Sequence, residues 1–416
     1  MLGKKTLFRC LAVLVFLASL RVSLAGDWDL RGDASVEIRI FPEDPLFPAQ
    51  ENTYVSPSLK LEPEVGYEWN DNSDRIIFKP FFRVDKDDDN RTHFDVRELN
   101  WFHQANNWTL LAGIGKVFWG RTEARHLVDI INQTDLVEDP DQEEKLGQLM
   151  LNLTLERSWG ALDFFFMPLF QERTFPANDA RLRGPSPILG APSTFKPYGD
   201  PSYESDLAWY HPDWAVRWSH TIGEFDFGVA HFRGTGREPR FLQEPQGSGE
   251  LAVRPRYDII DQTSLDFQWT HNAWLWKLEA IGRNGQGDYF GAAVVGFEYT
   301  KFQIFESSAD LGLLMELLYD GRDDDPAVAP PTRFNNDLFA GFRLALNNTA
   351  DTQVLGGPIV DLATGEISTF LEASHRIGQR WLAEFETRWL FNADLDSLTA
   401  GFRNDSFMTL RLIWFF

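Results

Sequence analysis

One cysteine occurs in 416 residues, at Cys10. It lies in a stretch that reads as an export signal, so the exported chain would hold none. A disulfide framework is thereby excluded, although an oxidising compartment would permit one. Long apolar runs are also missing. A helical membrane span needs roughly 20 mostly apolar residues, and nothing beyond the N-terminus reaches that length. Basic charge is scarce: 39 Lys and Arg stand against 62 Asp and Glu, a formal charge of −23. That balance argues against nucleic acid as a partner. Reactive constellations are absent too. The 8 histidines show no paired metal spacing, and there is no Gly-x-Ser-x-Gly elbow or Gly-rich phosphate loop. The expectation is no enzyme, no metal and no cofactor. His93, His220, His231 and His375 fall in strand-like segments, where a dyad could hide across strands. A strand histidine is more often a wall residue.

What is present begins with that N-terminus. Lys4, Lys5 and Arg9 precede an apolar stretch from Cys10 to Leu20, and Ser23-Leu24-Ala25 supplies small residues for cleavage. Residues 1–25 are therefore expected to be a signal peptide, cut after Ala25. Cys10 is not at the cleavage point, so a lipid anchor is not expected. Losing Lys4, Lys5, Arg9 and Arg21 makes the remainder more acidic still. Such a surface suits a cation-preferring pore, or divalent cations bridging it to lipopolysaccharide. Residues 26–416 show neither a domain break nor a fixed repeat.

At 43% hydrophobic and 24% charged residues, with a mean hydropathy of −0.30, the composition resembles a soluble protein. A transmembrane β-barrel leaves the same record, because only alternate residues meet lipid. The patterning separates the two. In 404–416, Met408, Leu410, Leu412, Trp414 and Phe416 oppose Thr409 and Arg411. In 273–283, Trp274, Trp276, Leu278 and Ala280 oppose Lys277, Glu279 and Arg283. Segments 57–69, 262–270 and 381–391 alternate similarly. Strand side chains point to opposite faces in turn, so lipid outside and water inside would produce these stripes. About eighteen such segments can be counted, an even number as in bacterial barrels; sixteen is the alternative count. Long connections alternate with tight turns, the outer-membrane layout. Tryptophans near segment ends suit interfacial girdles. The expected fold is an all-β transmembrane antiparallel barrel with a short helix in its third external connection.

The terminal segment Thr409 to Phe416 resembles the closing strand of Gram-negative outer-membrane proteins. That resemblance implies recognition by the barrel assembly machinery, with Trp414 and Phe416 as the signal. The blocks Gly115-Lys116-Val117-Phe118-Trp119-Gly120, Leu127 to Asn132 and Thr263 to Trp269 resemble a proteobacterial group of porin-like barrels of unknown function.

The 119–145 connection is the foremost candidate site. Arg121 to Ile131 lacks Pro and Gly, and Leu127, Ile130 and Ile131 share a helical face. In well-known porins the third external connection folds into the lumen. Arg121, Glu123, Arg125, His126 and Asp129 are accordingly expected to form a constriction, since charged rings set ion selectivity. The alternative is an outer loop packed on a neighbour. Inward wall charges by register include Lys79, Arg83, Glu279, Glu298, Arg343, Arg388 and Arg411; each could simply pair across strands. Phe81, Phe165, Met167, Leu314 and Leu318 are apolar inward positions, expected to pack against an inward loop or to mark bulges. Acid clusters at 85–89, 139–144 and 320–325 read as solvated turns, because Asn90 stands where a calcium loop needs Gly. The leading function is a porin-like channel for passive diffusion of small solutes. The alternative is a loop-capped, non-conducting surface barrel with a structural or binding role. Homo-oligomers are common among porins, but no segment here demands one.

Overall fold

The structure, a computed structural model, describes residues 26–183, 200–245, 251–393 and 399–416. The expected signal peptide, 1–25, lies outside them. The first strands are β1 (Asp27–Ile40), β2 (Val55–Trp69), β3 (Asp74–Asp85), β4 (His93–Gln104), β5 (Trp108–Gly115), β6 (Gln148–Arg157) and β7 (Gly160–Met167). Then come β8 (Ser202–Tyr203), β9 (Asp213–Ile222), β10 (Phe225–Thr235), β11 (Arg240–Pro245), β12 (Leu251–Tyr257), β13 (Ile259–His271) and β14 (Trp274–Asn284). The last are β15 (Phe290–Lys301), β16 (Asp310–Asp320), β17 (Asn336–Ala345), β18 (Gln353–Asp361), β19 (Ile367–Ile377), β20 (Trp381–Phe391) and β21 (Phe407–Phe415).

Eighteen of these form one sheet in which each strand pairs antiparallel with the next. The sheet closes on itself, β1 meeting β21 from Asp33↔Phe415 to Ile40↔Met408. Beyond that ladder, Gly32 and Phe416 exchange two backbone hydrogen bonds of 3.1 Å. Closure leaves no edge, which hydrocarbon demands because it cannot solvate a free N–H or C=O. All eighteen expected segments fall on barrel strands. Where the ladders lapse, proline is at hand. The β2–β3 register skips between Leu61↔Phe82 and Val65↔Phe78, around Pro63 and Pro80, and β3 shifts against β4 between Lys79 and Pro80. Proline has no N–H to give a ladder.

The two faces separate as the alternation requires. On β21, Leu410, Leu412 and Trp414 point outward, whereas Phe407, Thr409 and Ile413 are buried inward. On β14, Trp274 and Trp276 face out, and Lys277, Glu279, Ile281 and Arg283 face in. At the tight-turn end, aromatic rings cluster on the outer face. Trp28 lies 4.8 Å from Tyr67, and Trp274 4.7 Å from Tyr299. Such a belt suits the membrane interface.

The apolar core is inside the barrel. Phe165, Met167, Ala215, Phe232, Ile260, Ile281, Val294, Leu314, Leu318 and Phe339 of the wall pack with Trp119, Leu127, Val128, Ile130 and Ile131 of the loop between β5 and β6. The inward apolar residues are therefore the seat of a folded-in segment. Above it, β11 and β12 form a hairpin that β8 joins in parallel. An arginine at outward Leu412 is expected to cost about 2–4 kcal/mol if it lies near the membrane midplane. One at inward Asn152, facing water, should cost less than about 1 kcal/mol; urea titration in bilayers checks both.

Candidate functional site

The segment 116–147 leaves β5 and returns to β6 through a neck held by one side chain. Asn132 Nδ2 donates to Gly115 O (2.9 Å) and Leu146 O (2.8 Å), while its Oδ1 accepts from Val117 N (2.8 Å). From this neck the segment crosses the lumen. Val128 and Ile131 reach 0% exposure, each contributing roughly 1.5–3 kcal/mol of apolar burial. Trp119 meets Phe165 edge-on at 5.5 Å, and the Arg217 guanidinium sits 4.9 Å above the Trp119 ring.

The expected short helix is not there: 116–147 contains turns and isolated bridges only. The reason is where its amides go. Arg121 N (2.6 Å), Thr122 N (3.1 Å) and Thr122 Oγ1 (2.9 Å) donate to Glu279 Oε1, and Val128 N (3.2 Å) to Glu279 Oε2. Glu316 takes Glu123 N at 2.9 Å and Ala124 N at 2.9 Å. A helix would have spent those donors on its own carbonyls. Ionised acceptors in a buried site make stronger bonds than neutral carbonyls, so the wall outcompetes the helix.

All five expected constriction residues lie inside the barrel, and each has a partner. Arg121 Nε reaches Asp266 at 3.2 Å, and Arg125 reaches Asp320 at 2.9 Å. Glu123 bridges Lys277 (2.7 Å) and Arg343 (2.8 Å). His126 lies 3.7 Å from Glu279, and Asp129 3.2 Å from Lys145. Burial lowers the His126 pKa, but Glu279 outweighs it and the net shift is upward. Burial lifts Asp129, against Lys145 and the Trp119 amide.

The expected wall charges form two groups. Glu279, Glu298 and Arg343 belong to the loop's seat, Glu298 lying 3.9 Å from Lys277 and 3.6 Å from Arg343. Arg83, Arg388 and Arg411 serve the opposite arc. There Glu37, wholly buried on β1, pairs with Arg83 (3.3 Å), Arg91 (2.7 Å) and Arg411 (3.0 Å). Arg83 continues to Glu138 of the loop at 2.8 Å. Arg388 holds Asp141, Glu372 and Glu386 at 2.8 Å each. Lys79 pairs with Glu62 at 3.0 Å, apart from the loop. Trp414 and Phe416 face outward on the closing strand.

Between the loop, β18–β20 and the 321–335 connection lies a cavity of about 360 Å³. At one side Glu238 meets Arg283 (2.7 Å), Arg322 (3.2 Å) and Arg125 (3.8 Å). Burial would raise the Glu238 pKa, but the arginines hold it well below the usual carboxylate range. Glu238, Arg237, Arg173 and Arg333 escaped the sequence reading, because their convergence depends on outer connections whose paths no periodicity reports. The reading named His93 only as a strand histidine and missed Asp135 and Glu138, whose ligand-type atoms lie with its own within 4.8 Å of one another. Arg97 already holds Asp135 at 2.5 Å and Arg83 holds Glu138, so the ion-pair network absorbs this cluster.

A closed 18-strand antiparallel wall, apolar outside and charged inside, defines a bacterial outer-membrane β-barrel protein. No family model matches the chain, and no curated protein does. Solved structures with a similar outline include Wzi of Escherichia coli, an outer-membrane protein involved in group 1 capsule assembly and described as a carbohydrate-binding β-barrel. It is 10% identical with a TM-score of 0.49, covering 97% of this chain and 87% of that one. OprB of Pseudomonas putida is 8% identical with a TM-score of 0.45, covering 94% of each. A mutant Rh. blastica porin is 11% identical with a TM-score of 0.42, covering 94% of this chain and 100% of that one. The class rests on the wall itself.

Two outcomes follow for the loop. Glu279→Ala strands buried amides, each costing about 1–3 kcal/mol. Hydrogen exchange at 121–128 is expected to accelerate by at least about tenfold. The raised His126 pKa makes its contribution full below the unfolded value of 6.5 and lost as pH rises through the folded value. The stability gap between wild type and His126→Gln, read by urea titration, should therefore shrink with rising pH.

Proposed function

We propose that the barrel is a porin-like channel for passive diffusion of small solutes, narrowed by the 116–147 loop. The observation behind this reading is that the loop fills part of the lumen yet leaves a cavity of about 360 Å³ lined by ionisable side chains. An 18-stranded wall is of a size that can enclose water, and charges on a constriction govern which ions pass. Arg121, Glu123, Arg125, His126 and Asp129 act here as staples that fix the constriction and set its field.

The acidity of the whole chain argues for cation preference. We give more weight to the cavity lining, because a permeating ion meets the wall rather than the average charge. Residues 1–25 as export signal, Trp414 and Phe416 as the signal for the assembly machinery, lipopolysaccharide contacts and a homo-oligomer belong to the same proposal.

A second reading, the non-conducting surface barrel, draws support from the five loop amides held by Glu279 and Glu316. Planar-bilayer recording of the refolded mature chain separates the two. Discrete conductance steps are expected, several-fold larger when 120–131 is replaced by a short Gly-Ser linker. Arg121→Gln with Arg125→Gln should shift the reversal potential in a salt gradient. Silence from the folded wild type, together with steps from the linker variant, would favour the capped barrel.

A further inference from the structure

We infer that the cavity is a binding site for a small organic anion, with a carboxylate-type head against Arg333 and an apolar, ring-sized body. The inference rests on the channel reading and names the solute class that the lumen would select.

Charge is the first observation. The cavity lining includes eight Lys and Arg side chains against six Asp and Glu, reversing the balance of the chain. Pairing is the second. Buried arginines elsewhere in the barrel each meet a carboxylate: Arg83 with Glu138, Arg97 with Asp135, Arg237 with Asp213 and Arg322 with Asp320. Such pairing offsets the cost of withdrawing a guanidinium from water. Arg333, by contrast, is exposed and has no carboxylate within ion-pair distance among the described residues, so its donors are open to a ligand entering the cavity that it lines. Its guanidinium lies 4.7 Å from the Phe334 ring, so its in-plane donors remain unused. Nearby Arg388 has three acids of its own. Arg173, also on the lining, has no ion pair among the described residues either; its Nε donates to Gln133 Oε1 at 3.5 Å. Crowding by the surrounding protein and the Arg388 charge push the Arg333 pKa down to about 10, against the opposing pull of Asp141, Glu366 and Asp337.

The walls supply the other half of the argument. Phe334, Ile359 and Phe370 line the cavity beside Arg333, with Leu127 and Ile130 of the loop also on the lining. Hydrated inorganic anions gain little from such surfaces, whereas an aromatic or branched body loses apolar area to them. The volume sits near the lower end of the roughly 300–1,000 Å³ range for drug-sized ligands. A planar fork of donors matches a carboxylate bidentately, and the adjoining rings offer stacking to the body behind it.

Benzoate is the probe, with benzyl alcohol as its uncharged analogue and inorganic phosphate as the anion without an apolar body. Binding is measured by titration calorimetry on the folded full-length barrel in detergent, independently of any current. Saturable benzoate binding is expected, with benzyl alcohol and phosphate at least about tenfold weaker. Arg333→Gln should weaken benzoate by about tenfold or more, as expected for loss of a charged hydrogen bond. Arg333→Lys, which keeps charge without the fork, should fall between. Heat-modifiable gel mobility confirms that each variant is folded. Equal binding of benzoate and benzyl alcohol, phosphate binding as tightly as benzoate, or folded Arg333→Gln and Arg333→Lys variants that bind like wild type would each overturn the inference. Bilayer recording of the wild type in KCl is read separately. A silent barrel that still binds benzoate through Arg333 would remove the channel and leave the site standing.

Discussion

An ionised carboxylate facing the inside of a barrel must find donors, and the placement of Glu279 and Glu316 determines much of what the lumen contains. Each is almost fully buried, where an unsatisfied charge would cost several kcal/mol. The donors they find are backbone amides of a connection more than a hundred residues earlier. Those bonds draw the connection inward and hold it in an extended, irregular path. Its apolar residues then land against the apolar inner patches of β6, β7, β9, β10 and β13 through β18. A wall that could have been a bare water pipe thereby acquires a core resembling that of a soluble domain.

The wall was legible in the sequence because its signal is local. Lipid on one side and water on the other impose a period of two on every strand, so Leu410, Leu412 and Trp414 announce their face without reference to any partner. The inward course of the loop was only half legible: it came from the likeness to porins, and an outer loop packed on a neighbour stood beside it as the alternative. Its secondary structure was not legible. Arg121 to Ile131 carries a helical spacing of apolar residues and no breaker, and as an isolated peptide it could well coil. The acceptors that prevent this stand on β14 and β16, and no window on the loop reports them. Arg333 escaped for a related reason, since an arginine shortly after Pro330 and Pro331 gives no sign in the sequence of the cavity that it lines.

The inner charges are best understood as two different fastenings. On the β14–β16 side, carboxylates grip backbone amides beside an apolar seat. On the β1, β3 and β21 side, the loop is held chiefly through side-chain ion pairs such as Arg83 with Glu138 and, from β20, Arg388 with Asp141. The first kind is shielded by hydrocarbon and depends on backbone geometry. The second depends on long side chains, with Arg83 and Glu138 buried and Arg388 and Asp141 partly exposed. Between these flanks lies the cavity, so its dimensions follow from both.

The Asn132 neck makes the loop's two ends meet at one point beside β5 and β6. A segment tethered at a single neck, gripped firmly on one flank and ionically on the other, is a cantilever rather than a cork. Thermal motion in such a body concentrates at its loosely held margin. Its fluctuations would therefore widen or narrow the cavity from the Arg388 side while leaving the Glu279 side in place. Passage past it would then vary in rate without any wholesale ejection of the loop, and ionic strength would tune the amplitude.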